Sequence, residues 1–113
     1  MTFSHSIKSF DELTNHELYD LLRLRSDVFV VEQNCPYLDL DNKDQKGFHL
    51  LYYADNQLAG VTRLLPSGVS YNEISIGRVA IALSHRGLGL GRKLMEASIV
   101  GCKEKFGKAP IRI

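Results

Sequence analysis

The chain has 113 residues, of which 44% are hydrophobic and 24% charged, a composition typical of one folded domain with a modest core and not of a disordered chain. The formal net charge is +1 and no long basic block occurs, which argues against a nucleic-acid partner. No run approaches the about 20 apolar residues of a membrane span and the first ten residues lack a secretory apolar core, so we expect a single cytoplasmic domain over residues 1–113 without a membrane partner.

The first half of the chain predicts a strand, a helix and a hairpin, in that order. Residues 4–10 alternate weakly, as in a strand. Thr14 and Glu17 have the spacing of a capping box, and the leucines behind them recur at helical intervals, which predicts a helix over residues 15–29. The apolar runs 48–54 and 58–65 are separated by a short polar turn and predict a β-hairpin.

The second half predicts a strand, a long helix and the start of a further strand. Residues 73–81 form the strand, and Gly77 inside it marks a bulge or a place where a ligand approaches the backbone. The helix covers residues 91–106, and Gly107 suits its left-handed cap. Pro110 then begins another strand, which stops at the end of the chain.

Two polar features could carry chemistry, and we expect neither to do so. Cys102 lies on the apolar face of the second helix and should be a buried hydrophobe, and Cys35 should be packed as well. The run from Asp39 to Asp44 does not follow a calcium-binding loop, because Lys43 stands where an oxygen ligand is needed, so we expect no metal. It should be a solvated loop; the alternative is that its charge attracts a cationic amine near a cleft.

The most informative stretch is the glycine-rich loop over residues 86–91, between the third strong strand and the second helix. Glycines allow close backbone approach, and the helix start offers unpaired N–H groups and a positive dipole end, which together suit phosphate. The spacing follows neither the dinucleotide-binding pattern nor the P-loop. It does match R-x-x-G-x-G, read on Arg86, Gly89 and Gly91. A glycine-rich turn without a ligand is the alternative.

This loop resembles the pyrophosphate-binding motif of the GNAT superfamily, the acetyl-CoA-dependent N-acetyltransferases. A second motif, Val28-Phe29-Val30-Val31-Glu32-Gln33-Asn34-Cys35-Pro36-Tyr37, closely resembles the ElaA-like subgroup. The resemblance implies the α/β (α+β) GNAT acyl-CoA N-acyltransferase fold, a mixed β-sheet flanked by helices. The C-terminal strand, helix and hairpin of that fold are lacking, so we expect an incomplete domain. Truncation is favoured over completion by a second chain or a shortened domain without activity.

The resemblance also implies a reaction and its partners. An acetyl group would pass from acetyl-CoA directly to a primary amine of a small molecule or peptide, and a homodimer is the assembly considered. The alternative is a noncatalytic acyl-CoA-binding or interaction module. The implied cofactor-binding residues are Val79, Ala80 and Ile81 at the pantetheine arm and thioester, and Arg86, Gly87, Leu88, Gly89, Leu90, Gly91, Arg92 and Lys93 at the pyrophosphate.

Four residues are candidates for catalysis or substrate binding. Glu73, at the start of the bulged strand, is the candidate general base, and a surface glutamate is the alternative. Glu32, Tyr37 and His49 are second-tier candidates that we place at the substrate; Glu32 could instead anchor the loop after the first helix, and His49 could be a core histidine. No tyrosine follows the glycine-rich loop, so the general acid for the thiolate stays unassigned.

Overall fold

The structure, a computed structural model, describes residues 1–113 and contains one five-stranded sheet. The strands lie side by side in chain order: β1 (Phe3–Ser9), β2 (Phe48–Ala54), β3 (Gln57–Leu65), β4 (Ile74–Ile81) and β5 (Ile111–Arg112). The first four are antiparallel to their neighbours, whereas β5 runs parallel to β4. The predicted strands and the mixed sheet are therefore present, with bounds shifted by one residue.

Two helices cover the sheet, α1 (Asn15–Ser26) and α2 (Leu90–Phe106). The predicted capping box starts α1, because the Glu17 N–H donates to Thr14 Oγ1 at 3.1 Å and the Thr14 N–H donates to Glu17 Oε1 at 2.9 Å. The helix was predicted to continue to residue 29, and its path does continue, but as a π-helical turn over Asp27–Val31. Neither helix combines the length and the apolarity that crossing a lipid bilayer requires.

The helices pack on opposite faces of the sheet, and each face has its own apolar core. On one face α1 buries leucines against β3 and β4; the members are Leu21, Leu24, Val28, Val61 and Ala80. On the other face α2 packs on β2 and β3 through Leu50, Tyr52, Ala59, Leu90 and Leu94, and farther along through Leu64, Ile76 and Cys102. Each fully buried aliphatic side chain stabilises the fold by about 1.5–3 kcal/mol. The sheet therefore has an α1 face and an α2 face.

A β-bulge interrupts the pairing of β3 with β4. Val61 lies opposite Ala80 and Arg63 opposite Gly77, so that one residue of β3 faces two residues of β4, Arg78 and Val79. We predicted the irregularity at Gly77, but the positive φ belongs to Arg78, at +48°. The bulge is thus displaced by one residue, and a non-glycine residue adopts the left-handed conformation.

The two cysteines differ in environment. Cys102 is fully buried in α2, as predicted, and burial raises the pKa of its thiol to about 11. The prediction that Cys35 is packed is wrong, because it is exposed in the loop after the π-helical turn. That loop, which includes Asn34 at φ +48°, does not bring the Cys35 side chain against the core.

Candidate functional site

The glycine-rich loop joins the end of β4 to the start of α2. Gly87 and Gly89 have φ values of +83° and +72°, which glycine adopts without steric cost. An added Cβ at either position would meet no atom within 4 Å, so the space beside both glycines is open. Leu90, only 2% exposed, holds the helix start in the core. The loop is therefore fixed at its end while its glycines face open space.

Six consecutive backbone N–H groups, those of residues 87–92, donate to no backbone carbonyl. The helical ladder begins only at the Lys93 N–H, which donates to the Gly89 carbonyl at 3.5 Å. A helix N-terminus also carries about half a positive charge from the aligned peptide dipoles. Unpaired N–H groups and this partial charge together favour an anion such as phosphate.

Arg86 ties the loop to its surroundings. Its Nε and Nη2 donate to the Ile81 carbonyl at 3.1 and 3.0 Å, which links the loop to the end of β4. Its Nη1 donates to Glu32 Oε2 at 2.8 Å, and this hydrogen bond raises the pKa of Arg86. The Arg86 side chain therefore positions the loop, and Glu32 anchors it to the end of the π-helical turn.

The two cations at the start of α2 are also engaged within the protein. Arg92 Nε lies 3.0 Å from Glu96 Oε1, although both side chains are exposed and the pair is weak. Lys93 Nζ lies 4.9 Å above the ring of Phe3. The backbone N–H groups are thus the donors that the loop offers most directly.

The outer edge of β4 has no neighbouring strand beyond Ser75, because β5 pairs only with the first two residues of β4. The predicted cofactor-binding residues Val79, Ala80 and Ile81 lie on this open stretch. Backbone groups on an unpaired edge can bind an extended ligand as they would bind another strand. The Ile81 carbonyl is already bound by Arg86. Ala80 lies opposite Val61, and the Ala82 N–H donates to the Ala59 carbonyl, so alternate residues of β4 bond to β3 and the backbone groups of Ala80 face β3. The Ile81 N–H and the backbone of Val79 are left facing the open edge.

A cleft of about 370 Å³ lies on the α1 face at the same open edge. Strands β3 and β4 contribute Arg63, Leu65, Ser75, Ile76, Gly77 and Arg78, and the flanking segments contribute Asp41, Lys43, Ser70, Tyr71 and Ile113. An added Cβ at Gly77 would meet no atom within 4 Å, so this glycine leaves space in the cleft. The cleft therefore opens directly onto the bulge.

Six charged residues form a charge cluster beneath the cleft: Arg25, Arg63, Arg78, Asp39, Asp41 and Asp44. Arg25, fully buried, donates from Nε to Asp39 Oδ2 and from Nη1 to Asp44 Oδ1, both at 2.8 Å. Arg63 Nη1 and Nη2 donate to the two Asp41 oxygens at 2.7 and 2.9 Å, and Nη1 also donates to Asp44 Oδ1 at 3.0 Å. Arg78 Nε lies 2.8 Å from Asp39 Oδ1, and its Nη2 lies 3.2 Å from Asp41 Oδ2.

The charge cluster corrects our prediction of a solvated aspartate loop. Asp39 and Asp44 are 6% and 5% exposed, and arginines bind all three carboxylates. Burial by itself would raise the pKa of Asp41, but the hydrogen bonds from Arg63 and the charges around it outweigh burial and hold that pKa well below its usual range. The arginines neutralise the three carboxylates, which weakens the attraction that this run could exert on a cationic amine. His, Cys, Asp and Glu side chains form no group of three or more that could hold a metal ion.

Tyr37 and His49 contact different members of the charge cluster, Arg78 and Asp44. The Tyr37 ring is half-exposed and lies 5.3 Å from the Arg78 guanidinium carbon, which brings it beside the bulge. His49 is fully buried, and its Nε2 lies 2.8 Å from the Asp44 carbonyl oxygen, so Nε2 carries the proton and donates. Burial lowers the pKa of His49 and keeps the ring neutral.

Glu73 lies immediately before β4, at the end of the strand remote from the glycine-rich loop. Its carboxylate is half-exposed, and Oε2 lies 4.0 Å from Arg112 Nη1. A strand rises about 3.3 Å per residue, which places Glu73 about 13 Å along the strand from Gly77. Glu73 is thus near the cleft but not in direct reach of the bulge.

The three arginines of the charge cluster are the site residues that our sequence reasoning missed. One signal was available: Arg25 falls on the stripe of α1 that also carries Leu18, Leu21 and Val28, and this stripe faces the sheet. A charge on an apolar stripe needs a buried counter-ion. Three aspartates within six residues of loop could have been paired with it.

Comparisons with known proteins agree with this geometry. Residues 15–111 match the acetyltransferase (GNAT) family. ElaA of Escherichia coli is 38% identical over 102 residues, which span 88% of this chain and 67% of ElaA. The crystal structure of ElaA superposes with a TM-score of 0.89 over 97% of this chain and 76% of the ElaA chain. An acyl-CoA N-acyltransferase from Pseudomonas aeruginosa superposes with a TM-score of 0.90 at 38% identity, over 97% of this chain and 77% of that one. A more distant structure, from Elizabethkingia anophelis, has acetyl-CoA bound; its TM-score is 0.62 at 16% identity, over 91% of this chain and 59% of that one.

Proposed function

Because the chain belongs to the acetyltransferase (GNAT) family, we propose that it transfers an acetyl group from acetyl-CoA to a primary amine of a small molecule or peptide. The observation that carries the proposal is the row of unpaired N–H groups at residues 87–92, at the N-terminus of α2. The pyrophosphate of CoA carries two adjacent negative charges that such a row can bind. Family membership favours an enzyme over a noncatalytic acyl-CoA-binding or interaction module.

The open edge of β4 supports the position of the rest of the cofactor. With the pyrophosphate at the glycine-rich loop, the pantetheine arm would lie along the free edge of β4, as an added strand would. Its amides would bond to the backbone of Val79 and to the Ile81 N–H, since the Ile81 carbonyl is bound by Arg86 and Ala80 bonds to β3. The thioester would then reach the bulge, where a backbone N–H could stabilise the negative charge that grows on its oxygen.

The acceptor amine has to be neutral before it attacks the thioester carbonyl. Glu73 is the proposed general base, and its distance from the bulge means that water molecules in the cleft relay the proton. Attack forms the new N–C bond as the C–S bond breaks, and the thiolate takes up a proton from solvent. Tyr37, beside the bulge, is the substrate-binding candidate with the most direct access, whereas Glu32 is held by Arg86 and His49 is buried.

Calorimetric titration with acetyl-CoA tests binding, and thiol release in the presence of an amine panel tests transfer. The decisive variant is Gly89→Ala, because its Cβ and its loss of backbone freedom should disturb the N–H row. Gly68→Ala is the matched control: Gly68 also has a positive φ, at +89°, and open space around its Cβ position, but lies in the turn before β4. Both variants bear the same kind of strain, and only one lies at the proposed site.

We expect Gly89→Ala to weaken acetyl-CoA binding at least about tenfold and Gly68→Ala to leave it unchanged. Equal affinity in both variants would mean that the loop is only a turn. Binding without thiol release would favour the noncatalytic module. The homodimer and the cytoplasmic location stay predictions, which light scattering and cell fractionation check.

A further inference from the structure

We propose that the acceptor is an amine that also carries a carboxylate, and that Lys43 binds this carboxylate at the rim of the cleft. The inference rests on the proposed function, because it names the class of amine that the transferase takes. It follows from the balance of charge around the cleft at the bulge.

The charge cluster is neutral by itself. Its three arginines and three aspartates pair with one another, and every aspartate has an arginine nitrogen within 3.2 Å. The one acidic side chain that lines the cleft, Asp41, is bound through both oxygens by Arg63 and also contacts Arg78. No acidic side chain in the lining of the cleft is therefore left for the ammonium group of a purely cationic substrate, and Glu73, outside the lining, lies 4.0 Å from Arg112.

Lys43 adds a positive charge to the cleft that no carboxylate of the protein balances. Its side chain lines the cleft and is half-buried, and no carboxylate oxygen lies within 4.0 Å of Nζ. The Lys43 Nζ donates to Ser70 Oγ at 3.0 Å, which uses one of its three donors. The other two donors of this ammonium group have no carboxylate partner in the protein, so an anionic ligand can bind them.

The rest of the cleft fits a small zwitterion. The rim at Lys43, Ser70 and Tyr71 offers one cation and hydroxyl groups, which suit a carboxylate. Toward the bulge, Gly77 leaves space and the Arg78 guanidinium is held by aspartates, so the amine can approach the backbone there. An α-amino acid or a similar amine with a nearby carboxylate would point its carboxylate toward Lys43 and its amine toward the bulge.

Matched acceptors test the proposal. A panel of α-amino acids is compared with their amides and with their decarboxylated amines, and thiol release from acetyl-CoA gives kcat and KM for each. We expect the carboxylates to be preferred at least about tenfold in kcat/KM. Lys43→Ala should remove this preference by raising KM for the carboxylates alone, Lys43→Arg should restore it, and Lys43→Glu should invert it. Acetyl-CoA affinity should be the same in all three variants.

Two outcomes would overturn the inference while leaving acetyl transfer intact: equal or better turnover of the amides and decarboxylated amines, or a preference that Lys43→Ala does not change. A direct binding measurement tests the carboxylate preference separately from acetyl transfer. Titrating the free protein with the same pairs and following NMR shifts of Lys43 and Ser70 shows whether the cleft selects the carboxylate. Selective binding without any affinity for acetyl-CoA would contradict the proposed function only.

Discussion

Replacing Arg25 with Met should destabilise the fold strongly, because it breaks the charge cluster from inside. Met has a similar length and satisfies the apolar stripe of α1, so the change removes a charge without leaving a large cavity. Asp39 and Asp44 each lose a hydrogen bond of 2.8 Å. Both are less than 7% exposed, so water cannot easily replace the lost guanidinium.

The loss of stability depends on the ion pairs that Asp39 and Asp44 keep when Arg25 is replaced. Removing one partner of a buried ion pair costs about 3–5 kcal/mol, since it leaves an uncompensated buried charge. Asp39 keeps Arg78, and Asp44 keeps Arg63, which places the expected loss at the lower end, about 3 kcal/mol. With a urea m-value of about 1.5 kcal/mol/M, the midpoint of unfolding should fall by about 2 M.

Urea unfolding followed by circular dichroism measures this loss, and an unchanged m-value shows that the same surface is exposed on unfolding. Arg23→Met is the matched control, because Arg23 lies two residues away on α1 and is exposed. We expect that variant to stay within about 0.5 kcal/mol of the parent. A loss in Arg25→Met as small as that of the control would refute the reasoning, since the buried charges would then contribute nothing measurable.

Three further predictions follow from single groups. Burial lowers the pKa of His49, so at acid pH the unfolded chain binds a proton there before the folded chain does, and stability should fall as the pH drops below about 6.5. His49→Gln should reduce this fall, as urea midpoints measured above and below that pH will show. An equal fall in the parent and the variant would contradict the prediction. A thiol reagent should titrate Cys35 alone in the native protein and both Cys35 and Cys102 in denaturant, whereas two reactive thiols in the native state would contradict the burial of Cys102. Glu73→Gln should lower kcat about 100-fold without changing the acetyl-CoA KM, and an effect below about twofold would assign the proton to water alone.

The parts of the fold that the sequence predicts are those set by neighbours along the chain. The capping box of Thr14 and Glu17 starts α1, and a polar turn with Asp55 and Asn56 at φ +49° and +65° closes the hairpin, as two-residue turns of this type require. The glycine-rich loop is equally local, because its chemistry comes from its own backbone. Short-range signals of this kind need no knowledge of the tertiary fold.

The charge cluster could not be predicted in the same way, because its pairs are distant in sequence. Arg78 meets Asp41 across 37 residues, and Arg63 meets it across 22. Composition alone predicts that aspartates in a loop are solvated, and only the packing of that loop over the α1 face buries them. The proposed acceptor cleft therefore depends on contacts between residues distant in sequence, whereas the proposed cofactor site is a loop that the sequence pattern shows.

Arg78 explains why buried charges lie at this point of the sheet. A left-handed conformation costs a non-glycine residue about 1–2 kcal/mol, yet Arg78 adopts it beside a glycine that could do so without strain. Its guanidinium is held by Asp39 and Asp41 and stacks on Tyr37, and these contacts offset the strain. The bulge lies on the open stretch of β4, and Asp41 also lines the cleft. The charge cluster thus fixes the open edge of β4 and the cleft together, so loosening it should disturb both proposed sites. A loss of packing around Cys102, at the end of α2 remote from the glycine-rich loop, should lower stability alone.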